Sequence, residues 1–359
     1  MSLTPAQIRS LPTAVLHDHL DGGLRPDTVL ALSVELGLEP PARTAPEVAD
    51  WFHDAADSGS LPRYLATFDR TLALMQRPED LRRIAREFVE DMAADGVVYA
   101  ETRWAPHQHL ERGLTLEQAI ETVQAGLEEG MAAASEAGTP ILAGQLLCYL
   151  RHLEPTEDLV RLADAHRDRG VWGVDLAGPE AGYPASRFRE VFELARSLGV
   201  RVTIHAGEGD GPASIADALD CGAERIGHGV RIAEDLGGDD AGAEAGGAGA
   251  VAARVLAHGI CLEVCPSSNL QTGIASTIAE HPVRRLDAAG FRLAVSSDNR
   301  LMSRTSTSRE LTRVAEACDW TVRDLERLTL TALDAGFAPA AAREALRRDV
   351  VEPAYAAAR

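Results

Sequence analysis

Eight short apolar runs recur along the chain, and most of them begin just after a glycine or a proline. Several are nearly continuous in valine, isoleucine and leucine, which is typical of strands that are buried on both faces. The pattern therefore predicts eight core strands. They cover residues 14–17, 96–103, 140–149, 170–177, 199–205, 223–229, 259–266 and 290–298.

Stretches with helical periodicity separate these runs. Residues 78–95 open with a proline at a first-turn position, and Glu79 and Asp80 follow where acidic side chains complement the positive end of the helix dipole. Repeated strand–helix units at this spacing predict a parallel sheet, and eight of them predict closure into a (β/α)8 TIM-type barrel. Further helices are predicted over residues 115–137, 156–169, 184–198, 212–221 and 307–318.

Two segments interrupt this alternation. Residues 25–77, between the first two predicted strands, are too long for a crossover and contain several helical patterns, so we interpret them as a helical insertion over the mouth of the barrel. Residues 237–250 are rich in glycine and alanine, which predicts a flexible surface loop. Because α/β barrels of this length form one unit, we expect a single domain over residues 1–359, with extra helices at the C-terminal end.

Composition excludes some classes of binding partner and indicates the cellular compartment. The chain of 359 residues is 45% hydrophobic and has a formal net charge of −20, so it lacks the basic face that nucleic-acid binding requires. Its apolar stretches fall well short of the ~20 residues needed to span a bilayer, and its first residues do not resemble a signal peptide. The five cysteines form no C-x-x-C pair. These features favour a cytoplasmic enzyme for a small molecule, with no nucleic-acid or membrane partner.

The chain contains no lysine, and all 35 residues counted as lysine or arginine are arginine. This absence excludes a P-loop lysine, a Schiff-base lysine and a carbamylated lysine that bridges two metal ions. The chemistry must therefore come from histidine, aspartate, glutamate, cysteine, serine or arginine side chains.

Polar residues cluster where the predicted strands end, and in a parallel barrel those ends meet at one face, where active sites form. His17 and His19 project to the same side of the first strand. Two neutral imidazoles at that spacing can hold one metal ion, and His205 and Asp298 from other strand ends would complete three nitrogen donors and one oxygen donor. Zn²⁺ accepts this set and leaves room for a reactive water. The sequence therefore predicts one Zn²⁺ per chain.

Five motifs between residues 14 and 299 resemble, in order, those of the adenosine deaminase family of the amidohydrolase superfamily. They are H-x-H-L-D-G from residue 17, T-I-H-A-G-E from residue 203, R-I-G-H-G from residue 225, E-V-C-P-S-S-N from residue 263 and S-D-N from residue 297. The residues at their variable positions are similar to those of actinobacterial members. The resemblance implies a barrel enzyme that deaminates adenosine, and 2′-deoxyadenosine, with release of ammonia.

The resemblance also implies roles for individual residues. Glu208 would protonate the purine ring nitrogen beside the amino-bearing carbon, and His228 would orient or deprotonate the metal-bound water. Asp21 would face the ribose, Gly178 would contact the purine through its backbone, and His19 would lie against the substrate. The implied zinc ligands are His17, His19, His205 and Asp298.

Elementary chemistry is consistent with these roles. Zn²⁺ can lower the pKa of a bound water to about 7, which makes hydroxide available at neutral pH. Attack on an aromatic carbon moves ring electrons onto a nitrogen, so an acid is needed there. Glu208 lies three residues after His205, within reach of the substrate but displaced from the metal. A water-poor pocket would keep its carboxyl group protonated.

One position departs from the pattern of many family members, which carry two consecutive acidic residues after the last strand. Here Asn299 follows Asp298. In the family that position hydrogen-bonds the imidazole nitrogen of the purine, and an asparagine amide always carries donor hydrogens. We therefore expect Asn299 to bind the substrate. The alternative is that its side chain caps backbone near Arg300.

Other polar residues have plainer expectations. We expect Asp18, which points away from His17 and His19, to cap a helix or loop. Cys261 and Cys265 are expected to pack in the core, and residues 266–269 either shape the pocket or orient the seventh crossover. Seven histidines in predicted helices or loops are not expected to bind metal. They are His53, His107, His109, His152, His166, His258 and His281.

Several alternative functions follow from the same residues. A sister deaminase for adenine or aminodeoxyfutalosine would share the site, whereas an AMP deaminase would need a basic phosphate pocket that the sequence does not show. A binuclear phosphotriesterase-like or amidase-like hydrolase would need the missing lysine. A non-catalytic binding barrel would have no use for Glu208 and His228. The sequence does not predict the oligomeric state.

Overall fold

A computed structural model describes residues 3–237 and 248–359. Within these residues, eight parallel strands lie side by side in sequence order. They are β1 (Thr13–His19), β2 (Val97–Trp104), β3 (Leu142–Leu150), β4 (Val171–Ala177), β5 (Arg201–Ala206), β6 (Arg225–His228), β7 (Cys261–Val264) and β8 (Arg292–Val295). All eight predicted strands are present, with ends that differ by a few residues.

The sheet closes into a barrel because β1 lies beside the residues that follow β8. Asp18 and Asp298 form a parallel bridge. The His19 amide donates to the Asp298 carbonyl oxygen at 2.7 Å, and the Asp298 amide donates to the His17 carbonyl oxygen at 2.9 Å. The predicted (β/α)8 barrel is therefore confirmed, and closure places the ends of the first and last strands next to each other.

Helices surround this barrel, and they include all of those predicted together with several that were not. They are α1 (Pro5–Arg9), α2 (Pro26–Leu36), α3 (Ala45–Ala56), α4 (Leu61–Leu65), α5 (Phe68–Leu72), α6 (Pro78–Ala94), α7 (Leu116–Glu136), α8 (Asp158–Ala165), α9 (Arg189–Leu198), α10 (Pro212–Asp220), α11 (Ala250–His258), α12 (Pro266–Gln271), α13 (Val283–Ala288), α14 (Thr307–Cys318), α15 (Val322–Ala335), α16 (Ala340–Leu346) and α17 (Glu352–Ala358). Helices α8 and α9 are shorter than predicted, because part of each predicted span forms a 3-10 turn.

The long insertion after β1 forms helices α2 to α5, as its periodicity predicts. It lies over the carboxyl ends of the strands. The Phe68 ring packs edge-on against the imidazole of His19, with ring centroids 6.4 Å apart. The Thr67 hydroxyl lies 3.2 Å from Sδ of Met302, which follows β8. Of the predicted surface loop, residues 238–247 lie outside the described part of the chain.

The extra C-terminal helices α15 to α17 are also confirmed. The segment between α15 and α16 is joined to the barrel interior, because the Phe337 amide donates to Glu101 at 2.5 Å and the Ala338 amide donates to the Tyr99 hydroxyl at 3.1 Å. Among the described residues, no helix is long and apolar enough to cross a membrane.

Candidate active site

The carboxyl ends of three strands bring the four predicted metal ligands together. His17 and His19 lie on β1, His205 lies on β5 and Asp298 follows β8. Nε2 of His19 is 3.2 Å from Nε2 of His205. Oδ1 of Asp298 is 3.4 Å from Nε2 of His17 and 3.5 Å from Nε2 of His19. Three imidazole nitrogens and one carboxylate oxygen therefore converge in one small volume.

Two buried residues of this site adopt left-handed backbone conformations. Asp298 has a φ of 58° and His228 has a φ of 59°. Residues with a Cβ atom disfavour this region, so such conformations persist only where the surrounding structure imposes them. Both strained residues lie where a strand ends, beside the other predicted site residues.

The four donors fit Zn²⁺. Among the described residues, Nε2 of His17 and Oδ1 of Asp298 are buried without a hydrogen-bond partner, which is costly unless they bind a ligand. Burial lowers the pKa of His19 to about 3, so that a nitrogen lone pair is available for a metal ion. Burial opposes ionisation of Asp298, but the combined influence of the surrounding imidazoles, that of His17 first, outweighs it and holds the pKa of Asp298 well below its usual range. Zn²⁺ binds such a set of imidazoles and one carboxylate.

A buried ionic layer lies behind the ligands. Nδ1 of His17 is 2.9 Å from Glu263, and Nδ1 of His205 is 3.1 Å from Asp175. Arg103 donates to both carboxylates, to Asp175 at 3.0 Å and to Glu263 at 2.8 Å. In metal sites, partners of this kind orient the ligating imidazoles and set their tautomers. Sequence reasoning missed these three residues, although each is a charged residue within a predicted buried strand.

Arg225 extends this layer away from the ligands. It donates to Glu263 and to Glu101, each at 2.6 Å, and its guanidinium lies 3.6 Å from the centroid of the Phe337 ring. The buried ionic layer therefore extends as far as the segment between α15 and α16.

Glu208, the predicted proton donor, follows β5 and is only 6% exposed. Burial raises the pKa of its carboxyl group well above the usual value, and the neighbouring carboxylates of Asp298 and Glu180 raise it further. These influences favour the neutral carboxylic acid over the carboxylate. Its Oε2 lies 3.5 Å from Nε2 of His228, which ends β6, so the two predicted catalytic residues are adjacent.

Glu180 holds the loop that carries Glu208. Its carboxylate accepts hydrogen bonds from four consecutive backbone amides, those of Gly207 at 2.6 Å, Glu208 at 3.0 Å, Gly209 at 2.6 Å and Asp210 at 3.1 Å. Charge-assisted bonds are stronger than neutral ones, so this buried carboxylate fixes the backbone on which the acid sits. Sequence reasoning missed Glu180, whose available signal was its place just beyond the end of β4.

The first turn of α12 reaches the site. Nδ2 of Asn269 donates to Nδ1 of His228 at 3.1 Å, and Nε2 of His281 donates to Oδ1 of Asn269 at 3.2 Å. Of the two interpretations of residues 266–269, these contacts favour the one in which the segment shapes the pocket. His281, which was not expected to be a ligand, contacts Asn269 instead.

Three of the predicted substrate contacts, His19, Asp21 and Gly178, line one cavity of about 240 Å³, and the fourth, Asn299, is not among its lining residues. Oδ1 of Asp21 is buried and has no hydrogen-bond partner among the described residues, so it can accept from a ligand hydroxyl. Gly178 has a φ of 96°, a conformation that glycine adopts without strain. The insertion contributes Phe68 and Asp69 to the same wall.

Asn299 is buried beside Gly22. A Cβ atom on Gly22 would lie 1.8 Å from Oδ1 of Asn299, so glycine is required for this approach. Oδ1 of Asn299 has no hydrogen-bond partner in the described part of the chain. The side chain thus makes no backbone cap near Arg300 among those residues, and its contact with the purine stays a prediction.

The expectation for Asp18 was wrong. Its carboxylate is fully buried and accepts from the Ser297 hydroxyl at 2.7 Å and from Nε of Arg300 at 3.0 Å. Within the described part of the chain it therefore caps no helix or loop, and it connects β1 to the segment after β8. The local sequence could not indicate this, because both partners lie almost a full barrel circuit away along the chain.

Cys261 on β7 and Cys265, which follows that strand, are buried free thiols, as expected for packing. Sγ of Cys265 nevertheless lies within 4.8 Å of the ligand atoms of His17 and Asp298. Burial raises the pKa of the Cys265 thiol well above its usual value, so the group is a neutral neighbour of the ligands.

Known proteins are similar to this chain in sequence. The chain is 47% identical to adenosine deaminase 1 of Streptomyces coelicolor over 98% of its own length and 89% of that protein. It is 48% identical to adenosine deaminase of Mycolicibacterium gilvum over 99% of its length and 98% of that protein. These relatives are actinobacterial, in agreement with the variable positions of the motifs.

Solved structures agree with the fold. An amidohydrolase from Burkholderia ambifaria with bound Zn superposes with a TM-score of 0.81 at 25% identity, covering 99% of this chain and 96% of that one. An Arabidopsis protein complexed with IMP superposes with a TM-score of 0.81 at 28% identity, covering 98% of each chain. The family model described as adenosine deaminase matches residues 12–353. The chain therefore belongs to the adenosine deaminase family.

Proposed function

We propose that this protein hydrolyses adenosine, and also 2′-deoxyadenosine, to the corresponding inosine and ammonia. The observation that carries the proposal is the position of the buried Glu208, whose pKa is raised, beside His228 and four convergent potential metal ligands. A nucleophile source, a proton donor and an orienting imidazole are the parts that hydrolytic deamination of a purine requires. Relatives 46–48% identical over most of the chain are named adenosine deaminase.

His17, His19, His205 and Asp298 would hold one Zn²⁺ per chain. When bound, this ion would lower the pKa of a water molecule to about 7 and so provide the nucleophile. The related amidohydrolase with bound Zn supports the identity of the metal. Because the chain has no lysine to bridge two ions, a single ion is the simpler arrangement.

Glu208 would donate its proton to the purine ring nitrogen beside the carbon under attack. Its raised pKa keeps that proton in place until the ring nitrogen becomes basic. Because Glu180 fixes the loop, the Glu208 carboxyl group would stay in place beside the purine ring. Positioning of this kind accounts for a large part of enzymatic rate enhancement.

The substrate cavity favours a nucleoside over a nucleotide. Among the described residues its lining includes the carboxylates of Asp21 and Asp69 and no arginine, so a phosphate there would meet like charge without an arginine in that lining to offset it. Asp21 would instead accept a ribose hydroxyl. Gly178 would contact the purine through its backbone, and Asn299 would donate to the imidazole nitrogen of the purine. The IMP complex of the Arabidopsis relative supports a purine as the ligand class.

We place this reaction in the cytoplasm, with a free small molecule as substrate. The five cysteines are unpaired, as is usual for a reducing compartment. The sister activities on adenine or aminodeoxyfutalosine, and a non-catalytic barrel, are less well supported, since the relatives above are named for adenosine.

One assay tests these assignments together. The Zn-loaded protein is incubated with adenosine, 2′-deoxyadenosine, adenine, AMP and aminodeoxyfutalosine, and ammonia release is measured for each. We expect the two nucleosides to have the highest kcat/KM, and AMP to react poorly because of Asp21 and Asp69. Preference for adenine, for aminodeoxyfutalosine or for AMP would overturn the proposal, as would absence of any turnover.

A further inference from the structure

A chain of buried hydrogen bonds leads to His228 from a backbone amide. The amide of Val283, at the start of α13, donates to Nδ1 of His281 at 3.1 Å. A backbone amide can only donate, so Nδ1 of His281 must accept. Burial lowers the pKa of His281 to about 4, so the ring is neutral at physiological pH. Its single ring hydrogen therefore lies on Nε2.

This hydrogen sets the orientation of Asn269. Nε2 of His281 donates to Oδ1 of Asn269 at 3.2 Å, because only the oxygen of a carboxamide can accept. The amide nitrogen must then face the opposite way, and Nδ2 does lie 3.1 Å from Nδ1 of His228. Each bond in the series fixes the direction of the next one.

We propose that His281 and Asn269 are positioning residues that fix the tautomer of His228. Nδ1 of His228 accepts from Asn269, so the neutral ring carries its hydrogen on Nε2 and presents an N–H donor to the reacting groups. Nε2 faces Glu208 at 3.5 Å. All three relay side chains are at least 98% buried, so water competes little for these bonds.

The packing around His228 keeps its two nitrogens from exchanging places. The rings of His17 and His205 lie against it, with centroids 4.8 Å and 5.3 Å away. A ring flip would have to displace these rings. The nitrogen that carries the hydrogen, Nε2, therefore stays on the side of the ring that faces Glu208 and the proposed substrate site.

This assignment rests on the proposed function and deepens it. An N–H donor can orient the attacking water and stabilise negative charge that develops on its oxygen, whereas it cannot remove a proton from that water. Of the two roles that the motif leaves open for His228, the relay selects orientation. Donors aimed at developing charge typically contribute about 10²- to 10³-fold to kcat.

The tautomer can be measured without substrate. The Zn-loaded protein is labelled with ¹⁵N-histidine, and the His228 signals are identified by their loss in His228→Ala. We expect a pyridine-type shift for Nδ1 of His228 and a pyrrole-type shift for Nε2. The opposite pair of shifts would overturn the proposal, whatever the substrate of the enzyme is.

A single isosteric change should invert the tautomer. In Asn269→Asp the carboxylate accepts from both His281 and His228, which moves the His228 hydrogen to Nδ1 and leaves Nε2 without one. We expect retained Zn²⁺, inverted His228 shifts and a fall in kcat of about 10²- to 10⁴-fold with little change in KM. Gln118→Glu, the same amide-to-acid change at an exposed helix cap, should alter none of these.

These experiments distinguish a failure of the hydrogen-bond relay from a failure of the proposed function. Unchanged His228 shifts in a folded Asn269→Asp protein would overturn the relay, as would inverted shifts with unchanged kcat. If that variant does not fold, the wild-type spectrum decides the question by itself. Failure of adenosine as substrate would refute the proposed function and leave the tautomer measurement intact.

Discussion

Nε2 of His19 and Nε2 of His205 lie 3.2 Å apart, although their strands β1 and β5 occupy opposite sides of the eight-stranded barrel. Two imidazole lone pairs at this distance repel each other unless a proton or a metal ion lies between them. The carboxylate of Asp298 approaches the same point, which favours a cation. The geometry therefore leads to predictions about metal content.

We expect one tightly bound divalent ion per chain. Chelation should abolish activity, and added Zn²⁺ should restore it, since the donor set of three imidazoles and one carboxylate matches that ion. Elemental analysis of the purified protein measures the stoichiometry directly. Reproducible recovery of two ions per chain would contradict the mononuclear site.

The two histidines at the ends of β5 and β6 should respond differently to truncation. His205→Ala removes a ligand and should lose the metal, whereas His228→Ala removes only a neighbour of the nucleophile and should retain it. Metal content and kcat of both variants are measured side by side. Equal loss of metal would place His228 among the ligands and invalidate the assigned set.

Glu208→Gln should keep the metal and lose most of the rate. The amide has nearly the same shape, but it cannot deliver a proton to the ring nitrogen. General acid catalysis contributes about 10²- to 10⁴-fold, so kcat should fall within that range. Near-full activity in the Zn-loaded variant would show that another group supplies the proton.

The pH profile should report the influence of Glu180 on Glu208. The acid is active while protonated, and its pKa is raised by burial, by Asp298 and by Glu180. Activity is therefore lost as pH rises through this raised pKa. Removal of one nearby negative charge lowers that pKa, so the alkaline limb of kcat should move to lower pH in Glu180→Gln.

A matched charge removal provides the control for this shift. Glu190 is exposed on α9, and Glu190→Gln should leave the limb in place. A stationary limb in Glu180→Gln, together with an unchanged control, would mean that Glu180 acts on Glu208 only through the backbone. Reduced amide protection over residues 207–210 in hydrogen exchange would then be the sole expected effect.

Asn299 should discriminate between adenosine and an analogue with carbon in place of the imidazole nitrogen. A lost neutral hydrogen bond that strands a buried partner costs about 1–3 kcal/mol. The analogue should therefore turn over about 5- to 150-fold less efficiently in the native enzyme. Measurement of kcat/KM for both substrates gives the ratio.

Asn299→Ala tests whether that ratio arises from the proposed contact. If the contact exists, the variant should show little preference between the two substrates, and the two losses should not add. Gly22→Ala gives an independent check, because its methyl group would displace the Asn299 side chain. Additive losses would refute the contact.

The barrel, and the convergence of the predicted ligands at one face of it, could be predicted from the sequence because both depend on local pattern. Near-continuous apolar runs form strands buried on both faces, and helices between them force parallel order. Parallel order brings all strand ends to one face, so residues such as His17 and His205 could be placed together without any knowledge of their separation. The motif resemblance then supplied the roles of Glu208 and His228, which remain predictions.

Only the tertiary structure decided which polar groups support these residues. Asp175, Glu263 and Arg103 each belong to a different strand, and their pairing depends on the radius and register of the closed barrel. The same holds for Asp18, whose partners Ser297 and Arg300 become neighbours only when β1 meets the end of β8. Hydrogen bonds between residues far apart in the chain leave no periodic signal, because their geometry is set by closure and not by local conformation.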